Sequence, residues 1–497
     1  MAFRRSTNLL ATLLLAGCAV GPNFKQPSAP SGAGYTPEPL ARTTTSTPAQ
    51  FGGAQSFIED KDISGRWWEL FQSQALNELV DRSFRANPTI AAAQAALGVA
   101  RENMLAQGGT LLPSVGLDVS GSKNQTSIAS LAPVAANNKS IYSLYSAGLT
   151  VSYSLDAFGL GRRTVESFAA QADNQRFELE AAYLTLSTNV VLAAIQEAGL
   201  RGQIAAQQET IKADTQLRDI LQREYALGEI AQSDVLQQEA VLAQAEERLP
   251  SMQKELALQR NALIALVGGL PNEDLAANFE LSSLHLPQEL PVSIASKLVE
   301  QRPDILAAAA TLHAASAQVG VAIANRLPQL SLTASFGTSP GAIANAFSPY
   351  NQFFTVIGKL SQPIFDGGTL MHRQRAAQAA FDQAAAQYRV TVIGAYQNVA
   401  DVLRALQYDA NTLQAAVTAE QAASRSLDLT QKQQQFGAMS NLDVLNAEQI
   451  EEAARLAVVQ AQSARLADTA ALFQALGGGW WNRSDPLPSP GKQIAGN

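Results

Sequence analysis

From residue 87 onward the chain is written twice, and this duplication limits its possible folds more than any other feature. Asn87-Pro88-Thr89-Ile90 returns as Arg302-Pro303-Asp304-Ile305, and Leu112-Pro113 as Leu327-Pro328, in both cases 215 residues later. Further on, Gly228-Glu229-Ile230-Ala231-Gln232-Ser233-Asp234-Val235-Leu236 returns as Gly437-Ala438-Met439-Ser440-Asn441-Leu442-Asp443-Val444-Leu445, and Gly268-Gly269 as Gly477-Gly478, both after 209 residues. The drop from 215 to 209 leaves six extra residues in the first copy, and Ser122 to Ile141, longer than its counterpart Ser339 to Gln352, has room for them. Pro271, Pro287 and Pro291 mark the linker between the copies. The fold must therefore contain two equivalent units.

Within each copy the hydrophobic period changes twice. Asn87 to Leu111 is Ala-rich without internal proline and reads as a helix starting near Pro88. The period then becomes two. Val115, Leu117 and Val119 alternate with polar or small residues, and so do Tyr145, Ala147, Leu149, Val151, Tyr153 and Leu155. Leu330, Leu332, Ala334 and Phe336 repeat the pattern, and Phe354, Val356 and Leu360 do so less cleanly. Each run has the roughly 9 to 12 residues that a tilted strand needs to cross hydrocarbon. After Gly159-Leu160-Gly161 the helical period returns, with Phe177, Leu184, Val191 and Ala198 stepping by seven. The proline-free stretches between Gly161 and Gly228 and between Gly368 and Gly437 would each make a helix of roughly 100 Å. Returning helices are expected from Asp234 to about Val267 and from Asp443 to about Leu476. No compact core can support a helix that long, so these helices must pack as in a coiled coil.

Composition narrows the function classes. The net charge is −8, so there is no basic footprint for nucleic acid. One cysteine rules out intrachain disulfides and Cys-rich zinc sites, and His285, His313 and His372 lie far apart, without ligand spacing, and read as structural. After the first 20 residues no continuous apolar run reaches the roughly 18 residues of a spanning helix, so a helical inner-membrane protein is not expected. Asp366-Gly367-Gly368 follows a strand but lacks the lysine and serine of a phosphate loop. At the N-terminus, Arg4 and Arg5 precede the apolar run Leu9 to Leu15, and Leu15-Ala16-Gly17-Cys18 is similar to a bacterial lipobox. Cleavage before Cys18 and acylation of its sulfur and amine would anchor the chain to a membrane. Ala19, rather than Asp, at the next position favours the outer membrane. The Pro/Ser/Thr/Gly-rich run Gly21 to Thr47 reads as a tether.

Four amphipathic strands cannot close a sheet, since small barrels need about eight, and open edges do not survive in lipid. Either the strands form a soluble sandwich or several chains share one barrel. The pattern fixes a multiple of four strands and leaves two, three or four chains open.

Cys18-Ala19-Val20-Gly21-Pro22-Asn23-Phe24, then Trp67-Trp68-Glu69-Leu70-Phe71 with Leu76, Leu79 and Asn87-Pro88, and finally the duplicated motif ending in Asp-Val-Leu carry a family resemblance over nearly the whole chain. Together they resemble the outer membrane factor lipoproteins of tripartite efflux systems, the NodT-like, TolC-related group. The resemblance implies an α+β membrane protein. It would be a homotrimer sharing a 12-stranded outer-membrane β-barrel, four strands per chain, continued by a long periplasmic α-helical barrel. It implies docking to a periplasmic adaptor (a membrane fusion protein) and an inner-membrane efflux transporter. No cofactor is implied beyond covalent lipid at Cys18, and no metal, catalytic residue or nucleic acid. The expected partition is signal peptide 1–17, lipidated tether 18–50, equatorial segment 51–86, first repeat 87–270, linker 271–301, second repeat 302–478 and tail 479–497. Strands are expected at about 113–122, 143–156, 328–338 and 352–363.

The resemblance makes the turns at Gly228 and Gly437, with Asp234 and Asp443 opening the returning helices, the tips where the adaptor docks. By physical chemistry alone, the glycines suit left-handed C-caps and the aspartates suit helix starts. It also places a periplasmic constriction at Leu427, Asp428 and Gln431, two to three turns before Gly437. Asp428 can equally pair with Lys432 at i+4. Trp67 and Trp68 are expected to pack in the equatorial segment, with Trp480 and Trp481 read likewise, while Tyr142, Tyr145, Tyr350 and Phe353 at strand ends are candidates for an aromatic girdle. The function implied is a passive exit duct for small molecules such as drugs and toxic compounds. The alternatives are a lipid-anchored periplasmic coiled-coil scaffold or adaptor, or a duct for metal or protein secretion.

Overall fold

The computed structural model describes residues 19–30, 34–125, 141–275, 277–293 and 295–483. The readings of a signal peptide and of lipid at Cys18 fall outside the described residues. The chain divides into two compact units.

The first unit comprises residues 1–27, 97–175 and 308–388. It contains most of helix α2 (Pro88–Gly109), strands β2 (Ser114–Gln125) and β3 (Ile141–Leu155), and the start of α3 (Leu160–Leu227). The second repeat adds most of α6 (Pro303–Ala324), β5 (Gln329–Thr338), β6 (Gln352–Ser361) and the start of α7 (Thr369–Gln435). The strands form one antiparallel sheet in the order β2-β3-β5-β6, with Val115 opposite Val151, Val151 opposite Ala334 and Ala334 opposite Val356. Because side chains alternate along a strand, this register gathers the apolar parity of all four strands on one face.

The second unit comprises residues 28–96, 176–307 and 389–497. It holds β1 (Ser56–Glu59), paired in parallel with β4 (Glu289–Val292), helix α1 (Gln74–Ala86), α4 (Gln232–Leu266), α5 (Ala295–Gln301), α8 (Asn441–Ala475) and the greater part of α3 and α7. The buried side of α7 runs Val399, Leu403, Leu406, Ala410, Leu413, Val417. Its steps of four and three are those of a coiled-coil seam. Leu413 and Val417 close on Ala461 of α8. At 68 and 67 residues, α3 and α7 are each about 100 Å long, and α4 carries Pro250 in its interior. Trp67 is buried and stacks on Phe473 at 5.3 Å, while Trp68 is also buried, so these indoles belong to the interior.

Pro303–Ala324 is long and apolar enough to cross a membrane by length and composition. Thr311, His313, Ser316 and Gln318 interrupt its apolar residues, so it holds no continuous apolar run of spanning length. Of its most apolar window 56% is buried, as expected of a core helix.

Candidate functional site

The two long helices of each repeat meet at matching turns. In the first, the Gly228 N–H donates to the Tyr225 carbonyl at 2.9 Å and the Glu229 N–H to the Glu224 carbonyl at 3.0 Å. In the second, Gly437 donates to Gln434 and Ala438 to Gln433, both at 2.9 Å. These are Schellman closures, which need a left-handed residue after the helix, and the glycines supply it at φ +80° and +73°. The aspartates diverge. The Asp443 carboxylate accepts from the Ser440 N–H at 2.9 Å while the Ser440 hydroxyl accepts from the Asp443 N–H, a complete capping box. The expectation that Asp234 caps its helix in the same way is not met. Its N-cap is Ala231, which has no hydroxyl to reciprocate and no side-chain cap bond, so Asp234 acts only as a negative charge in the first turn. Around both turns Leu227 is 75% and Phe436 88% exposed.

Above the second turn, Leu427 is half-buried, and Asp428 and Gln431 are exposed. Asp428 pairs with Lys432 at 2.6 Å. Gln431 reaches across to α8, its amide donating to Glu448 Oε1 at 3.4 Å. Glu448 was not singled out in the sequence, nor was its neighbour Asp214 on α3. The other carboxylate oxygen of Glu448 is buried without a hydrogen-bond partner. Burial first, then the Asp214 and Glu451 charges, push the Glu448 carboxyl up to about 7. Burial also raises Asp214, although Gln238 donates to it at 3.2 Å. The only clue in the sequence is the acidic spacing Glu448, Glu451, Glu452. Glu451 and Glu452 are held by Arg455 and Arg248 at 2.6 and 2.9 Å, which leaves Glu448 with no cation among the described residues.

Just after Cys18, the chain is clamped. The Val20 N–H donates to the Phe158 carbonyl at 3.1 Å. Buried Arg163 donates to the Val20 carbonyl at 3.1 Å and to Asn23 Oδ1 at 2.7 Å, and pairs with Glu166 at 2.7 Å. Phe24 stacks on His313 at 4.4 Å, and His313 contacts Glu166 at 3.0 Å. Glu166 lies 147 residues away in the chain, so it is a partner that local spacing does not reveal. A Cβ on Gly21 would come within 2.5 Å of the Gly320 backbone, so only glycine lets the segment lie this close.

The sheet supplies the deciding observation. On its apolar face Val119 is 73%, Leu117 69%, Phe354 80% and Leu360 65% exposed. The other face carries Asp118, Ser120, Thr150, Ser335 and Lys359. A broad uncovered apolar surface one strand long and backed by a polar face is what a lipid-facing strand presents. The outer membrane efflux protein family model matches residues 79–269 and 294–478. The chain belongs to that family. The pyoverdine export outer membrane protein OpmQ of Pseudomonas putida is 28% identical over 84% of this chain and 88% of its own length. Outer membrane protein OprJ of Pseudomonas aeruginosa is 28% identical over 95% of each chain. The solved outer-membrane channel OprN superposes with a TM-score of 0.83 at 26% identity, over 93% of this chain and all of that one.

This outer membrane efflux protein is thus an outer-membrane exit duct that extends into the periplasm. Register also sorts the girdle candidates. Tyr145 lies on the apolar face opposite Gly121, but Tyr142, opposite Asn124, and Phe353, opposite Gly337, lie on the polar face, while Tyr350 lies before β6. Phe353 covers the Gly148–Gly337 contact, where a Cβ on Gly148 would meet its ring at 3.6 Å. A one-residue difference in parity sends an aromatic to the opposite face.

Proposed function

We propose that this efflux protein works as a homotrimer whose three sheets close one 12-stranded barrel, with the long helices forming a periplasmic tunnel. The observation that carries the reading is the uncovered apolar face of a four-stranded sheet whose outer strands, β2 and β6, each pair on one side only among the described residues. Such edges must be satisfied in lipid, and the antiparallel order lets β6 of one chain meet β2 of the next without breaking the alternation. Lipid on Cys18 would fasten the chain beside the start of α3, a reading supported by the clamp on Val20 to Phe24.

The turns at Gly228 and Gly437, opened by Asp234 and Asp443, are the docking tips for a periplasmic adaptor, and their exposed Leu227 and Phe436 suit an apolar partner surface. Leu427, Asp428 and Gln431 narrow the tunnel, with Asp428 neutralised in part by Lys432. An inner-membrane transporter supplies the energy and selects small molecules, and this chain conducts them passively. OpmQ is named for pyoverdine export, and a small-molecule cargo is the reading carried over. In planar bilayers, replacing Leu427, Asp428 and Gln431 with alanine should raise single-channel conductance. Unchanged conductance in all three would overturn the constriction.

A further inference from the structure

The duplication fixes more than the number of strands. Helix α2 becomes α6, and the start of β2 the start of β5, by a shift of 215 residues. The start of α3 becomes that of α7 by a shift of 209. The hairpins keep the same relation, since Ser114 opposite Ser152 becomes Gln329 opposite Ser361 under these two shifts. The chain therefore contains one complete joint between repeats, β3 against β5, with Ala147 opposite Thr338 and Leu155 opposite Leu330. If three chains close a ring, the only other kind of joint is β6 against β2 of the next chain, which is the same joint moved on by one repeat.

We infer that this second joint takes the register of the first, so that Val356 faces Lys123, Gly358 faces Gly121, Leu360 faces Val119 and Ser361 faces Asp118 across the subunit boundary. The inference rests on the trimeric reading and goes beyond it by naming the partner residues. Leu360 and Val119 both belong to the uncovered apolar face, so the transferred register continues that face across the boundary, with Lys123 opposite Val356 at the far end of the pairing. A slip by one residue would turn every side chain of one strand to the wrong face.

The register also joins two charges. Lys359 and Asp118 lie on the polar face, and neither has an ion-pair partner among the described residues. Across the joint Lys359 faces Ser120, which makes Asp118 its diagonal neighbour, within reach of a long side chain. The partner copy thus completes a cation–carboxylate pair on the barrel's inner face, one pair per boundary.

Engineered cysteines test this directly, because the chain has a single natural cysteine, Cys18. Ser361→Cys is combined in turn with Gly116→Cys, Asp118→Cys and Ser120→Cys, and each protein is oxidised in detergent after its mass is measured under native conditions. Two residues along a strand displace a Cβ by about 7 Å, beyond disulfide reach. The Asp118→Cys pair should therefore cross-link at least about tenfold faster than the other two. A dominant Gly116→Cys or Ser120→Cys product, or a trimer that cross-links in none of the three, overturns the register and leaves the trimer standing. A monomer by mass overturns the trimeric reading itself. Independently, Lys359→Asp should lower the temperature at which the trimer dissociates in SDS, and adding Asp118→Lys should restore it. Failure of that rescue removes the ion pair.

Discussion

Replacing Glu448 with glutamine should make the protein more stable at pH 8 and leave it nearly unchanged at pH 5. Glu448 sits on α8 with one oxygen bonded by Gln431 and the other buried without a partner, beside Asp214, and the nearby arginines are committed to Glu451 and Glu452. Its carboxyl is pushed up to about 7 from an ordinary 4.5. A raised acid means that the folded state holds the proton longer than the unfolded chain does. The stabilisation is complete below pH 4.5 and is lost as pH rises through 7. At 1.36 kcal/mol per pH unit the shift is worth about 3 kcal/mol, and solvent screening of the exposed part of the side chain reduces this to about 1–2 kcal/mol per chain. Glutamine keeps the shape and the contact with Gln431 and cannot ionise. The assay is loss of helical circular dichroism on heating in detergent, at one fixed scan rate because unfolding of a large assembly is kinetic. Wild type should melt lower at pH 8 than at pH 5.5, and the variant should lose part of that difference. A variant less stable than wild type at pH 8 would show that the ionised carboxylate is held favourably and would refute the reasoning.

Three further perturbations have definite outcomes. Arg465 is fully buried and donates to the Phe51 and Gly53 carbonyls at 2.8 Å and to Thr44 Oγ1 at 3.0 Å. Arg465→Met should cost about 3–5 kcal/mol and expose residues 44–55 to limited proteolysis. An unchanged digestion pattern would mean that the strap is held by other contacts. Arg163→Ala should cost about 2 kcal/mol and free the Val20–Phe24 segment for cleavage near its start, while a segment still protected in the variant would shift the anchoring role to Phe24 and His313. On the sheet, Leu149→Arg on the apolar face should cost about 2–4 kcal/mol and reduce the amount recovered from outer membranes. Thr150→Arg, one residue on and facing the other way, should be recovered normally, and equal losses would contradict the assignment of faces.

Much of this architecture is legible in the sequence because it depends on periodicity. The alternation from Tyr145 to Leu155 lies within β3, and the proline-free stretches between paired glycines contain the two longest helices. The glycine turns were legible as well, since Gly228 and Gly437 meet a backbone demand that few other residues can satisfy. What escaped depends on neighbours distant in the chain. Glu448 looks like one more acid on a helix until Asp214 is placed beside it, and His313 gains its partner only when α3 and α6 come together. Asp234 and Asp443 read as equivalent in the motif, yet Ala231 stands where the second copy has Ser440, and that one missing hydroxyl separates a cap from a bare charge. Place at a strand end marks the girdle candidates in the sequence, whereas parity decides which way a ring points.

The shared barrel is the central claim, and the mass of the native particle tests it most directly. Protein extracted from outer membranes in detergent should give, by native mass spectrometry, the mass of three chains, each beginning at an acylated Cys18. A single chain that stays in solution without detergent would contradict the barrel, and with it the duct that the barrel completes.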